Sequence, residues 1–395
     1  MRIKSVSIQN FKCFEERIDL EFGKLTLLTG ANSSGKSSII YSVLGAIQSG
    51  EFPLQFSTNG KYVDMGDFKE IVYNHDTNKN IEICLTLDYD FGAYTVKSLW
   101  EEDKINSLPT LNTLWVHSPN NTLSIIKQEK GGFIVSYDDN KWEEIDTVAD
   151  ILDRNPEELS YVPIVVFNRY DENINFIGSF RLQPQRTYLE QAKSRIKINS
   201  LGEGYLDQIM IWETKDKNKF NELMSILKEL NLLESIKSKR FGGGRYEIAV
   251  QVKENGVDSS LSDVGFGVSQ FLPVIVADLQ LSRESTLYIS QPEIHLHPSV
   301  QSAFGGYLVK QINSQAKNYV IETHSEYLLN RIRLAIVKGE IKEDEVKVYF
   351  TDNSTKKSVL HEIHFNKQGQ ILNAPSNFFK TYMMDVMEIA INAAE

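Results

Sequence analysis

At 395 residues the chain is long enough for one head with a large insertion, or for two or three domains. Its composition, 41% hydrophobic and 24% charged, is that of a globular protein and excludes wholesale disorder. A formal net charge of −11 excludes a surface that is basic throughout, so nucleic acid, if bound, has to be met by a local patch. Cys13 and Cys84 supply neither a disulfide framework nor metal-ligand spacing. The N-terminal MRIKSVSIQNF lacks the apolar core of a signal peptide, and no apolar run approaches the ~18 residues of a membrane span. The expectation is a cytoplasmic protein without membrane contact.

Three strands are expected before Gly30. Ile3, Val6 and Ile8 carry the first, Ile18, Leu20 and Phe22 alternate in the second, and Leu25 to Leu28 form a buried third, with Phe11, Cys13 and Phe14 packed beneath the first turn. GANSSGKS follows, Gly30 to Ser37, with a second hydroxyl at Ser38 and a helix predicted from Ser38 to Ile47. This is the GxxxxGK[ST] pattern in its required strand–loop–helix context. Gly30 and Gly35 allow a tight turn, so that the backbone N–H groups of Ala31, Asn32, Ser33 and Ser34 can point at a phosphate beside a helix N-terminus. Lys36 is placed to neutralise β and γ oxygens, and Ser37 to offer its hydroxyl to Mg²⁺; ATP and Mg²⁺ are the expected cofactors.

The stretch IQNFKCFEERIDLEFGKLTLLTGANSSGKSSII resembles the opening of the RecF, SMC and OLD group of ABC-type ATPases. The resemblance implies an α/β fold, an ABC-type P-loop ATPase head in which a small antiparallel sheet runs into the phosphate loop. It also implies that two heads face one another across the nucleotide, so the expected state is a homodimer or a higher homo-oligomer of dimers.

Beyond the first helix, Ile81, Ile83, Leu85 and Leu87 alternate as a strand. The metal-touching glutamine of many ABC-type heads has no convincing equivalent: Gln48 is on the wrong side, and Asp64 and Asp67 read as loop acids. Phe91 to Asp150 shows only irregular strands, and Val162 to Phe167 reads as a strand. Arg181 and Arg186 are candidates for a phosphate or a carboxylate. Glu190 to Ser238 is helical in period, interrupted at Gly202 and Gly204, and would form an arm. Two basic runs, Lys193–Lys197 and Lys237–Arg245, are the candidate DNA contacts.

After a strand through Ile248, Val250 and Val252, the segment LSDVGFGVSQ resembles the ABC-type signature motif, which contacts the γ-phosphate held by the opposite subunit. Either Ser262 or Ser269 would be the hydroxyl, and either Gly265 or Gly267 the glycine. Thr286 to Ile289 is a buried strand followed by SQPEIHLHP. By the same resemblance, Ser290 stands where a metal-binding acid is normal and Gln291 where the water-activating group is. An amide orients water but cannot take its proton, so hydrolysis should be slow or depend on Glu293. His295 and His297 lack a third ligand for zinc; the resemblance implies that their loop lies across the dimer interface. His324, after the strand Tyr319 to Glu322, falls at the family's γ-phosphate switch.

The tail from Glu345 reads as a strand, a pair of short strands around Lys367 to Gln370, and a final helix after APSNFF; it resembles a C-terminal domain often fused to such ATPases. The expected division is 1–90 and 246–344 for the two halves of the head, 91–245 for an inserted helical or mixed arm, and 345–395 for a small α+β extension. What the resemblance implies is the ATPase subunit of a bacterial anti-phage system of the Septu, PARIS or retron-associated type, controlling a separately encoded effector nuclease. An ATP-gated scaffold with negligible hydrolysis and a RecF/SMC-like DNA-maintenance ATPase are the alternatives.

Overall fold

The computed structural model describes residues 2–89, 92–138, 141–152, 161–190, 197–353, 357–376 and 378. The chain opens with an antiparallel pair, β1 (Arg2–Gln9) and β2 (Ile18–Glu21), with Val6 opposite Leu20. It continues into β3 (Leu25–Gly30), buried along its whole length as a central parallel strand must be. The loop after β3 leads into α1 (Lys36–Gln48), whose Ile39, Ile40, Val43, Leu44 and Ile47 recur at helical spacing and are all buried.

A short helix, α2 (Phe68–Ile71), precedes the strands β4 (Ile81–Tyr89), β5 (Gly92–Glu102), β6 (Pro109–His117), β7 (Thr122–Lys127), β8 (Phe133–Tyr137) and β9 (Lys141–Ile145). With β1 and β2 they form one eight-stranded antiparallel sheet in the order β2-β1-β4-β5-β6-β7-β8-β9. The region expected to be irregular is therefore a regular meander. Its alternation is blurred because the outward face also carries apolar side chains: Leu114, Val116, Leu123, Ile125 and Val135 are buried, while Trp115 and Ile126 are exposed.

Two short helices follow, α3 (Ala149–Leu152) and α4 (Ile164–Glu172). The second corrects the strand expected at Val162 to Phe167. Pro163 caps it, and Phe167 and Tyr170, one helical turn apart, are both buried; packing overrides the β-branched propensity of the run. Next come β10 (Ile174–Ile177) and β11 (Tyr188–Leu189), then α5 (Tyr205–Lys215) and α6 (Lys217–Glu229), then β12 (Ser235–Arg240), β13 (Arg245–Gln251) and β14 (Ser259–Ser260). The head closes with α7 (Phe266–Gln280), β15 (Thr286–Ser290), α8 (Pro298–Gln315), β16 (Asn318–Glu322), α9 (Glu326–Val337), β17 (Val346–Asp352), β18 (Val359–Phe365) and β19 (Ile371–Leu372).

The central sheet runs β10-β15-β16-β3-β17-β18-β19, parallel from β10 to β17 and antiparallel beyond it. Successive residues of its strands feed two cores. Leu28, Tyr288, Val320 and Tyr349 face α1 and the antiparallel sheet, whereas Leu27, Ile289, Ile321 and Val348 face α5 to α9.

The interval 91–245 contributes to both sheets and to the core of the head. Its first part widens the antiparallel sheet, β10 joins the edge of the central sheet, and Leu206, Ile209, Leu223 and Leu227 of α5 and α6 lie in the same core as Phe271 and Ile275 of α7. The helical period assigned up to Ser238 ends at Glu229, because Ser235 to Arg240 pairs with β13 as a strand. At the start of the tail, β17 lies directly beside β3, with Val348 opposite Leu27. The helix expected after APSNFF, and Lys193 and Arg195 of the first basic run, lie outside the described residues. Among the described residues no helix is long and apolar enough to cross a membrane.

Candidate nucleotide site

The C-terminal ends of β3, β15 and β16 converge at the edge where open parallel sheets place ligands. At the end of β3, Gly30 has φ +138°, and a side chain there would run into the main chain of Thr351 in β17. Gly35, at φ +108°, caps α1, and a Cβ would meet Cys13 Sγ at 2.5 Å and the Phe14 ring at 2.6 Å. Both glycines are therefore required by close packing as well as by their positive φ. Cys13 and Phe14 of the N-terminal turn thus lie against the loop.

Between them Ala31, Asn32 and Ser33 form the exposed rim, with Ser33 at φ +58°. Ser34 is buried; its hydroxyl donates to the Ala31 carbonyl (2.7 Å) and pairs with the Thr351 hydroxyl. Asn353 Nδ2 donates to the Asn32 carbonyl at 3.2 Å. The loop is thus braced from β17, a support that the separate tail domain expected from sequence did not foresee. No acidic residue occupies the first turn of α1 and no side chain caps it, so its N–H groups are open to an anion.

Lys36 is 3% exposed, and its ammonium donates to the carbonyls of Gly30 (3.1 Å) and Ala31 (2.6 Å). Burial lowers its pKa from the usual lysine range, while the charges of Glu322 and Glu293 pull it back up. Ser37 donates to Glu322 Oε2 at 2.8 Å, and Ser290 donates to the same oxygen at 3.1 Å. The two hydroxyls expected to serve the metal are therefore gathered on one carboxylate. Sequence reasoning assigned no role to Glu322, although an acid at the last position of a parallel strand, just before Thr-His-Ser, was a usable signal. Ser38, half-buried on α1, completes the loop's run of hydroxyls.

Gln291 stands at φ +48°, its N–H donating to the Glu322 carbonyl at 2.7 Å. Glu293 accepts the His324 main-chain N–H at 2.6 Å on Oε1, while its Oε2 is buried without a hydrogen-bond partner. Burial raises the pKa of this carboxyl, and the N–H groups of His324 and of Glu293 itself, with Thr323 and Arg181, only partly oppose that. The His324 imidazole has a lowered pKa, chiefly through burial and then through the charge of Lys36. Glu293, Glu322, His324 and Lys36 thus belong to one electrostatic cluster at the sheet edge.

Arg181 and Arg186 separate in role. Arg181 is buried, and donates to the carbonyls of Ser290 (2.8 Å), Gln291 (3.2 Å) and Gln270 (3.3 Å), tying the end of β15 to α7. Its pKa is pulled down to about 10 by burial, against the charge of Glu293. Arg186 makes a bidentate pair with Asp263 (2.8 and 3.0 Å) on the surface.

In the signature-like segment, Ser262 and Gly265 remain at the surface. Ser269 is fully buried with its hydroxyl donated back to the Phe266 carbonyl, and Gly267 is held where a Cβ would strike the His295 carbonyl. Of the paired candidates, Gly265 is exposed, Ser262 and Gly267 are half-buried, and only Ser269 is taken out of reach of a second molecule by burial. His295 packs on Phe266 with ring centroids 5.8 Å apart, and His297 caps α8, accepting from Ser299 N–H at 3.3 Å. Among the described residues no three His, Cys, Asp or Glu side chains gather for a metal.

Gln48 is spent on structure, bonded to the backbone of Ser57, Tyr62 and Val63, and Asp67 caps α2. In the candidate DNA patches Lys197 is bonded to Tyr62 and the Asp171 carbonyl, Lys237 pairs with Asp258, and Arg240 with Glu190. This compensation weakens the electrostatic case for a nucleic-acid face.

A family model described as "AAA ATPase domain" matches residues 1–154 and 96–329. Endonuclease GajA of Bacillus cereus (strain VD045) is 25% identical over 353 residues, covering 83% of this chain and 56% of that protein. The OLD nuclease of Thermus scotoductus is 21% identical over 388 residues, 90% of this chain and 66% of that protein. The chain therefore spans between about half and two thirds of the curated relatives it matches. The SMC head domain from Thermotoga maritima (13% identity, TM-score 0.44) overlaps 92% of this chain and 100% of that one. An SMC head bound to the C-winged helix domain of ScpA (12%, TM-score 0.48) overlaps 92% and 98%. With TM-scores below 0.5, these likenesses add nothing to the topology described above.

Proposed function

Because this chain belongs to the AAA ATPase domain family, we propose that it binds ATP with Mg²⁺ in the cradle from Gly30 to Ser38 and hydrolyses it slowly. The observation that carries this reading is the convergence of Lys36, Ser37, Ser290 and Glu293 at one sheet edge, beside an uncapped helix N-terminus. The loop N–H groups and Lys36 bind the β and γ oxygens; Ser37 and Ser290 supply hard oxygen donors of the kind Mg²⁺ takes. Bound Mg²⁺ would offset charge developing on the phosphate oxygens. Gln291 orients a water, Glu293 accepts its proton through the unpartnered Oε2, and His324 faces the γ-phosphate.

A second copy completes the site through Ser262 and Gly265, so the working unit is a homodimer or an oligomer of dimers. The biological reading is a cytoplasmic ATPase of a bacterial anti-phage defence system that controls a separately encoded effector nuclease. Its support is similarity to two proteins named as nucleases, of which this chain matches only part. An ATP-gated scaffold with negligible turnover is the second reading, favoured by the amide at Gln291.

Phosphate release and nucleotide binding by purified protein test this. Lys36→Ala should weaken ATP binding by two orders of magnitude or more while the fold survives, as judged by circular dichroism; retained affinity removes the nucleotide assignment. Wild-type turnover below about 10⁻³ per second, far under ordinary enzyme rates, would select the scaffold. Co-purification of a nuclease encoded beside this chain, with ATP-dependent release, tests the effector relationship.

A further inference from the structure

We propose that Glu322 is the acid of the magnesium site, supplied from β16 in place of the one missing at Ser290 on β15. The proposal rests on the ATP-binding reading above and goes beyond it by naming the residue that restores the charge.

The register of the sheet makes the exchange geometrically simple. Ser290 and Glu322 are partners across parallel strands, each the last residue of its strand. A carboxylate at either position opens onto the same point at the end of β3, one strand further on. The loop hydroxyl and the β15 hydroxyl confirm where that point is, since Ser37 and Ser290 reach the same Glu322 oxygen at 2.8 and 3.1 Å.

The environment of Glu322 suits a cation. It is 5% exposed, and among the described residues no ion pair is formed with it. Two neutral hydroxyls are its side-chain partners here; they bond the carboxylate but bring no positive charge to it. Lys36, whose charge is felt by Glu322, is committed to the carbonyls of Gly30 and Ala31. A divalent cation would supply the positive charge that these hydroxyl partners do not. Every oxygen in the set is a hard donor, and a carboxylate with hydroxyls and phosphate oxygens is the usual magnesium environment. The main chain is arranged to hold the acid in place: Gln291 N–H donates to the Glu322 carbonyl, and Thr323 N–H to the Leu28 carbonyl at 2.9 Å.

The test measures affinity for a non-hydrolysable fluorescent ATP analogue in EDTA and in millimolar MgCl₂, with loss of the free Mn²⁺ electron-spin signal as a direct metal readout. In wild-type protein Mg²⁺ should tighten nucleotide binding, and Mn²⁺ should be taken up with nucleotide. Glu322→Gln should weaken the metal's contribution by about tenfold or more, the scale of losses seen when a metal site is disturbed, with affinity in EDTA within about threefold. The double variant Glu322→Gln with Ser290→Glu should restore Mn²⁺ uptake, which a merely structural role for Glu322 would not do.

Full metal dependence in a folded Glu322→Gln protein overturns the proposal, as does equal loss of affinity in EDTA. If the single variant fails to fold, the double variant decides: folded with Mn²⁺ uptake supports the assignment, and any other result overturns it. Wild-type protein that binds no nucleotide in either buffer sinks the ATP reading itself, and this inference with it. Nucleotide binding that persists while Glu322 proves irrelevant sinks only the inference.

Discussion

Asp278 and Glu293 are both carboxylates held out of water in this molecule, the first inside α7 and the second at the C-terminal edge of the central sheet. Asp278 is 1% exposed and saturated with partners: the hydroxyls of Tyr307 and Tyr319 (the latter at 2.9 Å) and the ammonium of Lys317 at 3.2 Å. Lys317 also donates to the Asp278 carbonyl, so α7, α8 and β16 are locked together. Glu293 has main-chain donors but one buried oxygen with no hydrogen-bond partner, and Glu322 at the same sheet edge has hydroxyls alone for side-chain partners. A carboxylate with its lone pairs and its charge satisfied within the chain holds the fold; one left short of both awaits something the chain does not supply. Direct loss of function should follow changes at the second kind, and loss of stability at the first.

The largest effect is expected at Glu293. Glu293→Gln keeps the shape but cannot accept a proton, so phosphate release should fall about 10²- to 10⁴-fold with ATP affinity nearly unchanged. Its pKa is raised from the ordinary 4.5, which means that between that value and the raised one the folded chain binds more protons than the unfolded chain. Stability from this group is therefore present at acid pH and lost as pH rises through the window. Glu293→Gln should melt a few degrees above wild type near neutral pH, and the difference should shrink toward pH 4. A variant less stable than wild type at neutral pH would show that Glu293 is structural and would erase the contrast with Asp278.

Asp278→Ala should do the reverse. It strands Lys317, 4% exposed, with an uncompensated charge, and costs about 3–5 kcal/mol of unfolding free energy in urea titrations. Nucleotide affinity measured on the remaining folded protein should not move. Pairing it with Lys317→Met should recover much of the loss, because an apolar pair of similar volume removes both buried charges. Failure of the second change to compensate would place the stabilisation in the two tyrosines instead.

How much of this was legible in sequence follows from the same physics. β3, the phosphate loop, α1, β4, β15 and β16 announce themselves because strong periodicity or a rigid motif fixes each locally. The helix at Ile164–Glu172 does not, since its leading β-branched run favours a strand and only the burial of Phe167 and Tyr170 decides otherwise. Glu322 was hidden for a different reason. Its place at the end of a strand before Thr-His-Ser is a local signal, but its strand register with Ser290 and its reach to Ser37, 285 residues away along the chain, leave no local trace. The brace of Thr351 and Asn353 on the loop is invisible in the same way, because it depends on β17 lying beside β3.

The smallest effect is expected where a charged pair is complete yet exposed. Arg186 and Asp263 form a bidentate pair whose side chains remain 74% and 45% exposed, at the surface segment that carries Ser262 and Gly265. Solvent screens such a pair, so Arg186→Ala should cost no more than about 0.2–1 kcal/mol in urea unfolding, with an effect that fades in salt. The proposed dimer gives a sharper use of this variant. If the pair only fixes a surface turn, ATP-dependent association by analytical ultracentrifugation should match wild type. If association weakens tenfold or more while the unfolding free energy barely moves, the pair is holding Ser262 for a second subunit, and a third class of carboxylate has to be set beside Asp278 and Glu293: one that is satisfied, exposed and still functional.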